Sequence, residues 1–335
     1  MREITTDIAV IGAGSAGLSA AYQAASAGAD VLVIDENHLP GGQLFKQIHK
    51  FFHQAGTRGF QIGQELLERV QKSGARVWLN TLVYGIERDC SLGVIHDGAH
   101  YVVRAKKVIV ATGAKENYMA FPGSTLPGVM GAGAAQTMVN VNRVLPGKRV
   151  VMLGSGNVGL IVSYQLMQAG ADVVALVEAA PKIGGYAVHA GKLRRAGVPI
   201  LVGHTITRVM GDGQVERVEI AQVDKQFQPI PGTERILEAD TVCLAVGLNP
   251  MTELVWMAGC KFCFIPAFGG HVPMHDSNME TTVPGLYVAG DVTGVEEASS
   301  AMEEGNLAGV CAAHALGLLT NEQAADKKTE INARL

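Results

Sequence analysis

Apolar residues in this chain gather in short unbroken runs, and most of those runs end at a glycine. In "DIAVIGAGSAGLSAAYQAASAGADVLVIDE" Ile8, Val10 and Ile11 form one run and Val31 to Ile34 another. Strands apolar at nearly every position are those of a parallel sheet buried on both faces. Between them, Leu18, Ala21, Tyr22, Ala24 and Ala25 predict a helix whose small side chains let it lie close to that sheet. The same order returns mid-chain in "KRVVMLGSGNVGLIVSYQLMQAGADVVALVEAAP". Even the helix endings agree, "SAGADVLVID" against "QAGADVVALVE", so a strand–helix–strand unit is duplicated. "RAKKVIVATGA" adds a buried strand ending in Thr-Gly, and "VPGLYVAGDV" adds one ending in Gly-Asp. A small-residue helix is predicted from about Ala298 to Leu316. The polar stretch "TNEQAADKKTEINARL" is expected to be a frayed or docking tail.

Composition narrows the class. At 335 residues, with 48% hydrophobic and 17% charged residues, the chain can fill two compact domains and is not disordered. Its net charge of −4 is spread along the sequence. The small basic clusters "KLRRAG" and "ADKK" read as solvated faces, so a nucleic-acid surface is not expected. No apolar run reaches membrane-span length, and "MREITTDIAV" lacks the pattern of a signal peptide. Five scattered cysteines fit a reducing cytoplasm better than a disulfide framework.

The glycine turns carry the chemistry. Gly12, Gly14 and Gly17 form G-x-G-x-x-G between a strand and a helix. In such a turn the first glycine allows the tight bend, the second lets backbone approach a diphosphate, and the third allows close packing. Ser15 and Ala16 then start a helix whose unpaired N–H groups favour an anion. Asp35, with Glu36 as the neighbouring alternative, is placed to accept hydrogen bonds from ribose hydroxyls. Gly154, Gly156 and Gly159 repeat the turn with Asn157 and Val158 inside it, and Glu178 ends the next strand. A carboxylate there suits free ribose hydroxyls and repels a 2′-phosphate. NADH is therefore expected over NADPH. The turn and acid recognise only the ADP half, so a resident adenine nucleotide that gives no hydride stays open.

The fragments "GAGSAG", "PGGQL", "VIVATGA", "GSGNVG" and "GLYVAGD" stand in the order found in a known family. The chain resembles the flavoproteins with two dinucleotide-binding domains related to the pyridine nucleotide–disulfide oxidoreductases. That resemblance implies an α/β fold of two Rossmann-like domains, the second inserted into the first. The FAD-binding domain would comprise residues 1–119 and 252–335, the nucleotide domain 120–251, with "AVGLNP" as the return hinge. It implies FAD at the first turn, with contacts from Gly42, Gln43, Val83, Thr112, Gly113, Gly290 and Asp291. Ser299 and Ser300 would open a helix aimed at the flavin pyrimidine, and Gly247 would join the nucleotide site.

The family's usual sulfurs are missing. Neither "GGQLFKQIHKFFHQAGTRGF" nor "PGVMGAGAAQTMVNVNRVLPGKR" contains a cysteine, so disulfide reduction has no thiol pair beside either turn. Cys260 and Cys263 form a lone C-x-x-C beyond the hinge, read as buried or incidental. His49 and His53 are spaced like half a metal site that nothing completes, and no metal is expected. Lys46 is the single side chain near the first turn put forward for a catalytic part.

A narrower likeness lies in "FPGSTLPGVMGAGAAQ", "GLNPMTELVWMAGC" and "GLYVAGDVTGVEEASSAMEEGNLAG". These resemble the non-disulfide FAD subunits of opine oxidase, proline or hydroxyproline dehydrogenase, sarcosine oxidase and hydrogen cyanide synthase. The likeness implies a catalytic flavoprotein partner that oxidises a small amine or imino acid. Any iron–sulfur cluster would sit on another subunit. Oxidation of a small amine by this chain itself is a further alternative. A branch found beside glycerol-3-phosphate-dehydrogenase-like proteins shares "GGQL" and "VERVEIAQVD", and the residues leave both branches open.

Overall fold

The computed structural model describes residues 2–50 and 56–335. The chain forms two compact units, Met1–Lys115 with Asn249–Leu335, and Glu116–Leu248. The crossings thus fall slightly ahead of the expected 119 and 251. In chain order the first unit opens with β1 (Arg2–Ile11), α1 (Ser15–Ser26), β2 (Val31–Ile34), α2 (Gly59–Lys72), β3 (Arg76–Trp78), β4 (Leu82–Ile86), β5 (Ser91–His96) and β6 (Ala99–Val110). After β7 (Ala114–Glu116) come β8 (Val129–Gly131), α3 (Ala132–Asn140), β9 (Arg149–Leu153), α4 (Asn157–Gln168), β10 (Asp172–Glu178) and α5 (Ala187–Arg195). Then follow β11 (Ile200–Val202), β12 (His204–Met210), β13 (Arg217–Gln222), β14 (Arg235–Glu238) and β15 (Thr241–Leu244). The chain returns through β16 (Leu248–Pro250), α6 (Glu253–Met257), β17 (Phe262–Ile265), β18 (Gly270–Pro273), β19 (Leu286–Val288), α7 (Ala298–Ala315) and α8 (Asn321–Asn332).

The first unit is built on one seven-stranded sheet in the order β3-β2-β1-β6-β5-β4, with β19 also on β6. Strands β3, β2, β1, β6 and β19 run parallel, and β5 and β4 are antiparallel. Every residue of β2 is buried, as its unbroken apolar run requires. β1 lies between β2 and β6, so the turn after it sits where connections leave in opposite directions. Crevices at such switch points hold ligands in open α/β sheets. The second unit repeats the plan: β11-β10-β9-β15-β8 is parallel throughout, and β9 lies between β10 and β15. Strands β12-β13-β14 form a separate antiparallel sheet.

Small residues set the helix spacing in the first unit. A Cβ added to Gly305 would stand 2.1 Å from the Ala16 carbonyl oxygen, and one on Gly309 2.4 Å from that of Ala20. Helices α1 and α7 therefore touch backbone to backbone, closer than any side chain would permit. The polar C-terminal stretch corrects the expectation of a frayed tail. It forms α8, whose Thr320 hydroxyl accepts the Gln323 N–H at 3.2 Å while the Gln323 side-chain carbonyl accepts the Thr320 N–H at 2.9 Å. Such a capping box is worth about 1 kcal/mol. Ala324 and Ile331 are the buried anchors on this otherwise polar helix. Two apolar residues facing one way suffice to seat it.

Candidate functional site

The first turn must reverse the chain between Ile11 and Ser15. Gly12 does so at φ +104°, its N–H donating to the Ile34 carbonyl at 2.8 Å. A Cβ there would lie 2.3 Å from the Ala111 carbonyl oxygen, and one on Gly17 would lie 1.8 Å from that of Gly12. The protein itself thus demands the outer two glycines. Gly14 is different: its φ is −77° and a Cβ would meet nothing within 4 Å. The space over Gly14 is open, and no side chain caps α1. The first N–H groups of a helix have no acceptor within it, so Ser15, Ala16 and Gly17 present donors to that opening. This cradle fits the diphosphate of a dinucleotide.

Asp35 is bonded into the turn. Its Oδ2 accepts the Ala13 N–H at 2.6 Å, and its Oδ1 accepts the Asn37 backbone and side-chain N–H groups at 2.8 and 2.9 Å. Glu36 beside it is exposed. The Gly41 N–H donates to the Ala13 carbonyl at 2.6 Å, and Gly42 lies so near Gly14 that a Cβ would be 2.9 Å from its Cα. Gln43 is exposed, and Lys46 closes the short 3-10 helix Gly42–Lys46 partly buried. Val83 lies on β4 just beyond Thr81, whose N–H donates to the Asp35 carbonyl at 2.9 Å. The Thr112 hydroxyl donates to the Met251 carbonyl at 2.7 Å, and the Met251 N–H returns to the Gly113 carbonyl at 2.9 Å.

A strand–turn–helix completes this rim. After β19, Gly290 takes φ +78°, and a Cβ there would be 2.8 Å from the Ala16 Cβ. Its N–H donates to Glu304 Oε2 at 2.7 Å, and the Thr293 hydroxyl stands 3.1 Å from the same oxygen. Burial pushes the Glu304 carboxyl up to about 7, against its two hydrogen bonds and with help from Glu296 and Asp291. Burial likewise raises Asp291 to about 6, opposed by the Glu296 N–H and assisted by the Glu296 charge. Ser299 and Ser300 lie in the first turn of α7.

The second turn is a close copy. Gly154 has φ +103°, donates to the Val177 carbonyl at 2.8 Å, and would place a Cβ 2.2 Å from the Ala245 carbonyl oxygen. A Cβ on Gly159 would fall 2.1 Å from the Gly154 oxygen, whereas one on Gly156 meets nothing within 4 Å. No side chain caps α4. Glu178 Oε2 accepts the Ser155 N–H at 2.8 Å and hydroxyl at 2.6 Å, and Oε1 accepts the Ala180 N–H at 2.8 Å. Asn157 Oδ1 accepts the Tyr186 N–H at 2.9 Å, while Val158 is exposed. Gly247, at φ +102° and exposed, accepts the Asn117 N–H at 3.0 Å.

Three features escaped sequence reasoning. A second Gly-Gly pair, Gly184–Gly185, follows its acid at the spacing of the first (178 to 184, 35 to 41). The Gly185 N–H donates to the Ser155 carbonyl at 2.8 Å, as Gly41 does to Ala13, and the Gly184 N–H reaches the Ser155 hydroxyl at 3.0 Å. The signal was legible in "KIGG". Glu304 and Gly305 had no signal, because a carboxylate and a glycine inside a helix declare nothing until the helix is packed.

All five cysteines are free thiols. Cys260 donates to the Thr281 hydroxyl at 3.3 Å while Cys263 points to the Val272 carbonyl at 3.9 Å, so the pair has separate partners. Burial raises Cys243 to about 12 and Cys311 to about 11, which keeps both thiols protonated and unreactive. His49 is partly buried, and His53 lies outside the described residues. Among the described residues no three His, Cys, Asp or Glu gather as metal ligands, and no helix is long and apolar enough to cross a membrane.

Comparison with known proteins identifies the family. The family model for pyridine nucleotide-disulphide oxidoreductases matches residues 6–305. The chain belongs to that family. Membership implies FAD and a pyridine nucleotide as ligands of an oxidoreductase. An opine oxidase subunit of Agrobacterium tumefaciens (strain Ach5) is 32% identical over 94% of this chain and 67% of its own length. The chain thus spans about two thirds of that relative, which is by name one part of a multi-chain oxidase. Two solved structures share the fold. The thioredoxin reductase of T. acidophilum matches at TM-score 0.79 and 24% identity, covering 93% of this chain and 99% of its own. The L-proline dehydrogenase of P. horikoshii matches at TM-score 0.76 and 22% identity, covering 99% of this chain and 59% of its own.

Proposed function

We propose that this chain is an FAD-dependent oxidoreductase subunit that exchanges electrons between NAD(H) and a redox centre on a partner protein. The assembly would oxidise a small amine or imino acid. One observation carries the reading: two complete glycine turns, each with a carboxylate bonded to it, and no cysteine pair beside either. Electrons then have no thiol to enter or leave by. The name of the opine oxidase relative, a subunit of its enzyme, supports a partner chain; the partner proposed is a flavoprotein, with an iron–sulfur protein as a further candidate. Residues 1–119 and 252–335 would hold FAD and 120–251 the nucleotide, in the cytoplasm.

Bound FAD supplies a hydride acceptor that the protein's own side chains lack. The N–H groups of Ser15 to Gly17 would hold its diphosphate, with Gly42 and Gln43 beside it. Asp35 keeps unused lone pairs for ribose hydroxyls, and Thr112, Gly113 and Asp291 would line the approach to the ring. The N-terminus of α7 favours negative charge near Ser299 and Ser300. In the second unit Asn157 and Val158 stand at the diphosphate turn, and Glu178 disfavours a 2′-phosphate by like charge.

A second reading draws on the Gly184–Gly185 clasp, which copies the flavin-side Gly41–Gly42 arrangement. It favours a resident, slowly exchanging adenine nucleotide at the second turn. Anaerobic mixing of the flavin-loaded chain with NADH and with NADPH separates these readings. Loss of yellow absorbance with NADH, slower with NADPH, supports electron exchange. An unreactive flavin, with an adenine nucleotide released on denaturation, supports the resident ligand and overturns the first reading.

A further inference from the structure

The turn Gly290–Thr293 closes without outside help. The Thr293 N–H donates to the Gly290 carbonyl at 2.8 Å, and the Thr293 hydroxyl lies 2.9 Å from that same oxygen. Glu304 is therefore unnecessary for making the turn. Yet its carboxylate, one helical turn or more inside α7, reaches back to take the Gly290 N–H and to compete for the Thr293 hydroxyl. Asp291 and Glu296, both acids, face it. A partly buried carboxylate among other carboxylates is a costly way to pack a turn that is already closed. Its hydrogen bonds have another consequence: they tie the turn to α7, and Gly305, the next residue, locks α7 against the Ala16 carbonyl.

We propose that Glu304 is the positioning residue of the flavin site, fixing the Gly290–Asp291 turn and the N-terminus of α7 in register over the Gly14 opening. The proposal rests on FAD occupying the first turn. Asp291 and the first N–H groups of α7 are the two features of the rim that could meet a flavin from this side. Each belongs to a different segment, and Glu304 joins those segments. The Thr293 hydroxyl has one proton and serves one acceptor at a time. An ionised Glu304 draws it away from Gly290, and a neutral one releases it.

The test is FAD titration of the flavin-free full chain, read by flavin fluorescence, together with the apoprotein melting temperature. E304L removes the carboxylate whose Oε2 takes both bonds; FAD affinity is expected to fall about tenfold or more, as for the lost hydrogen bond of the Gly290 N–H to a charged group. The apoprotein melting temperature should stay within about 3 °C of the parent, because the turn still closes. E304Q keeps an acceptor oxygen and should hold FAD within about threefold of the parent. T293V removes one donor without touching the charge and should weaken FAD by a factor of about three. It also serves where E304L does not fold. Parental affinity in E304L, or in T293V if E304L cannot be prepared, overturns the proposal. So does an E304Q as weak as E304L. A parent chain that binds no FAD at all defeats the reading of the first turn, and the proposal with it.

Discussion

Gly12 and Gly154 begin two copies of one device, and the copies agree beyond the glycines. Each first glycine packs on an alanine carbonyl, Ala111 or Ala245, that leads into a glycine of positive φ, Gly113 or Gly247. Each acid, Asp35 or Glu178, takes the N–H of the residue after that first glycine. Each Gly-Gly pair returns to the same carbonyl, that of Ala13 or Ser155. The copies part on one side only. The first adds β19, the Gly290 turn and α7, with Asp291 and Glu304 close to the neutral range. On the proposed reading the shared parts would bind what the two ligands have in common, an adenosine diphosphate, and the unshared part would lie where the ligands differ, at the reacting ring.

The sharpest way to break this equivalence is to fill the first glycine. G12A and G154A each force a side chain into positive φ and onto a carbonyl about 2 Å away. Each should destabilise its unit by on the order of 3 kcal/mol or more, read as a fall in urea midpoint. A G154A chain as stable as its parent would show that the second turn is built differently.

Filling the middle glycine asks the opposite question. Gly14 and Gly156 have room and negative φ, so alanine should leave folding unchanged. The methyl group instead enters the space assigned to diphosphate. G14A should lose FAD by about 10- to 100-fold, giving a colourless purified chain. G156A should stay yellow and lose only the second nucleotide. Equal colour loss in both variants would mean that the two sites do not bind independently.

The acids give a smaller effect and a finer contrast. E178Q turns an N–H₂ toward the Ala180 N–H or gives up the two Ser155 donors, while it lifts the charge that opposes a 2′-phosphate. The NADH-over-NADPH preference should narrow by about tenfold, the size of one lost charge interaction. D35N, the matching change at the first turn, should leave that ratio alone. Binding of both nucleotides to the parent, E178Q and D35N chains checks this.

What could be read beforehand follows from where each signal lives. Ile8 to Ile11 and Val31 to Ile34 announce parallel strands because burial on both faces leaves no polar position. Gly12, Gly17 and Asp35 were legible because backbone geometry and charge act within one short unit. Gly184–Gly185 was legible too, because it follows Glu178 at the spacing by which Gly41–Gly42 follows Asp35. Glu304, Gly305 and the seating of α8 were not. Their roles exist only once α7 lies on α1, and no local pattern encodes a contact made across nearly the whole chain. The polar stretch after Thr320 misleads for a related reason: its capping box was visible, but Ala324 and Ile331 cannot outweigh their polar neighbours in a periodicity.

The last contrast is one of pH, and it sets the two copies apart most gently. Glu304 binds its proton more tightly in the folded chain, near 7, than in the unfolded one, near the ordinary 4.5. Between those values the folded state holds more protons, so stability falls as pH rises through that window and the loss is complete above it. Asp291 adds the same sign between 3.8 and about 6. Gln at 304 has no proton to lose. The apoprotein of E304Q should therefore melt with the parent near pH 5 and a few degrees above it near pH 8. Melting curves of the parent and E304Q at both pH values measure this. A parent that is more stable at pH 8 than E304Q would place the Glu304 charge in a favourable field, and the positive partner would then have to be found.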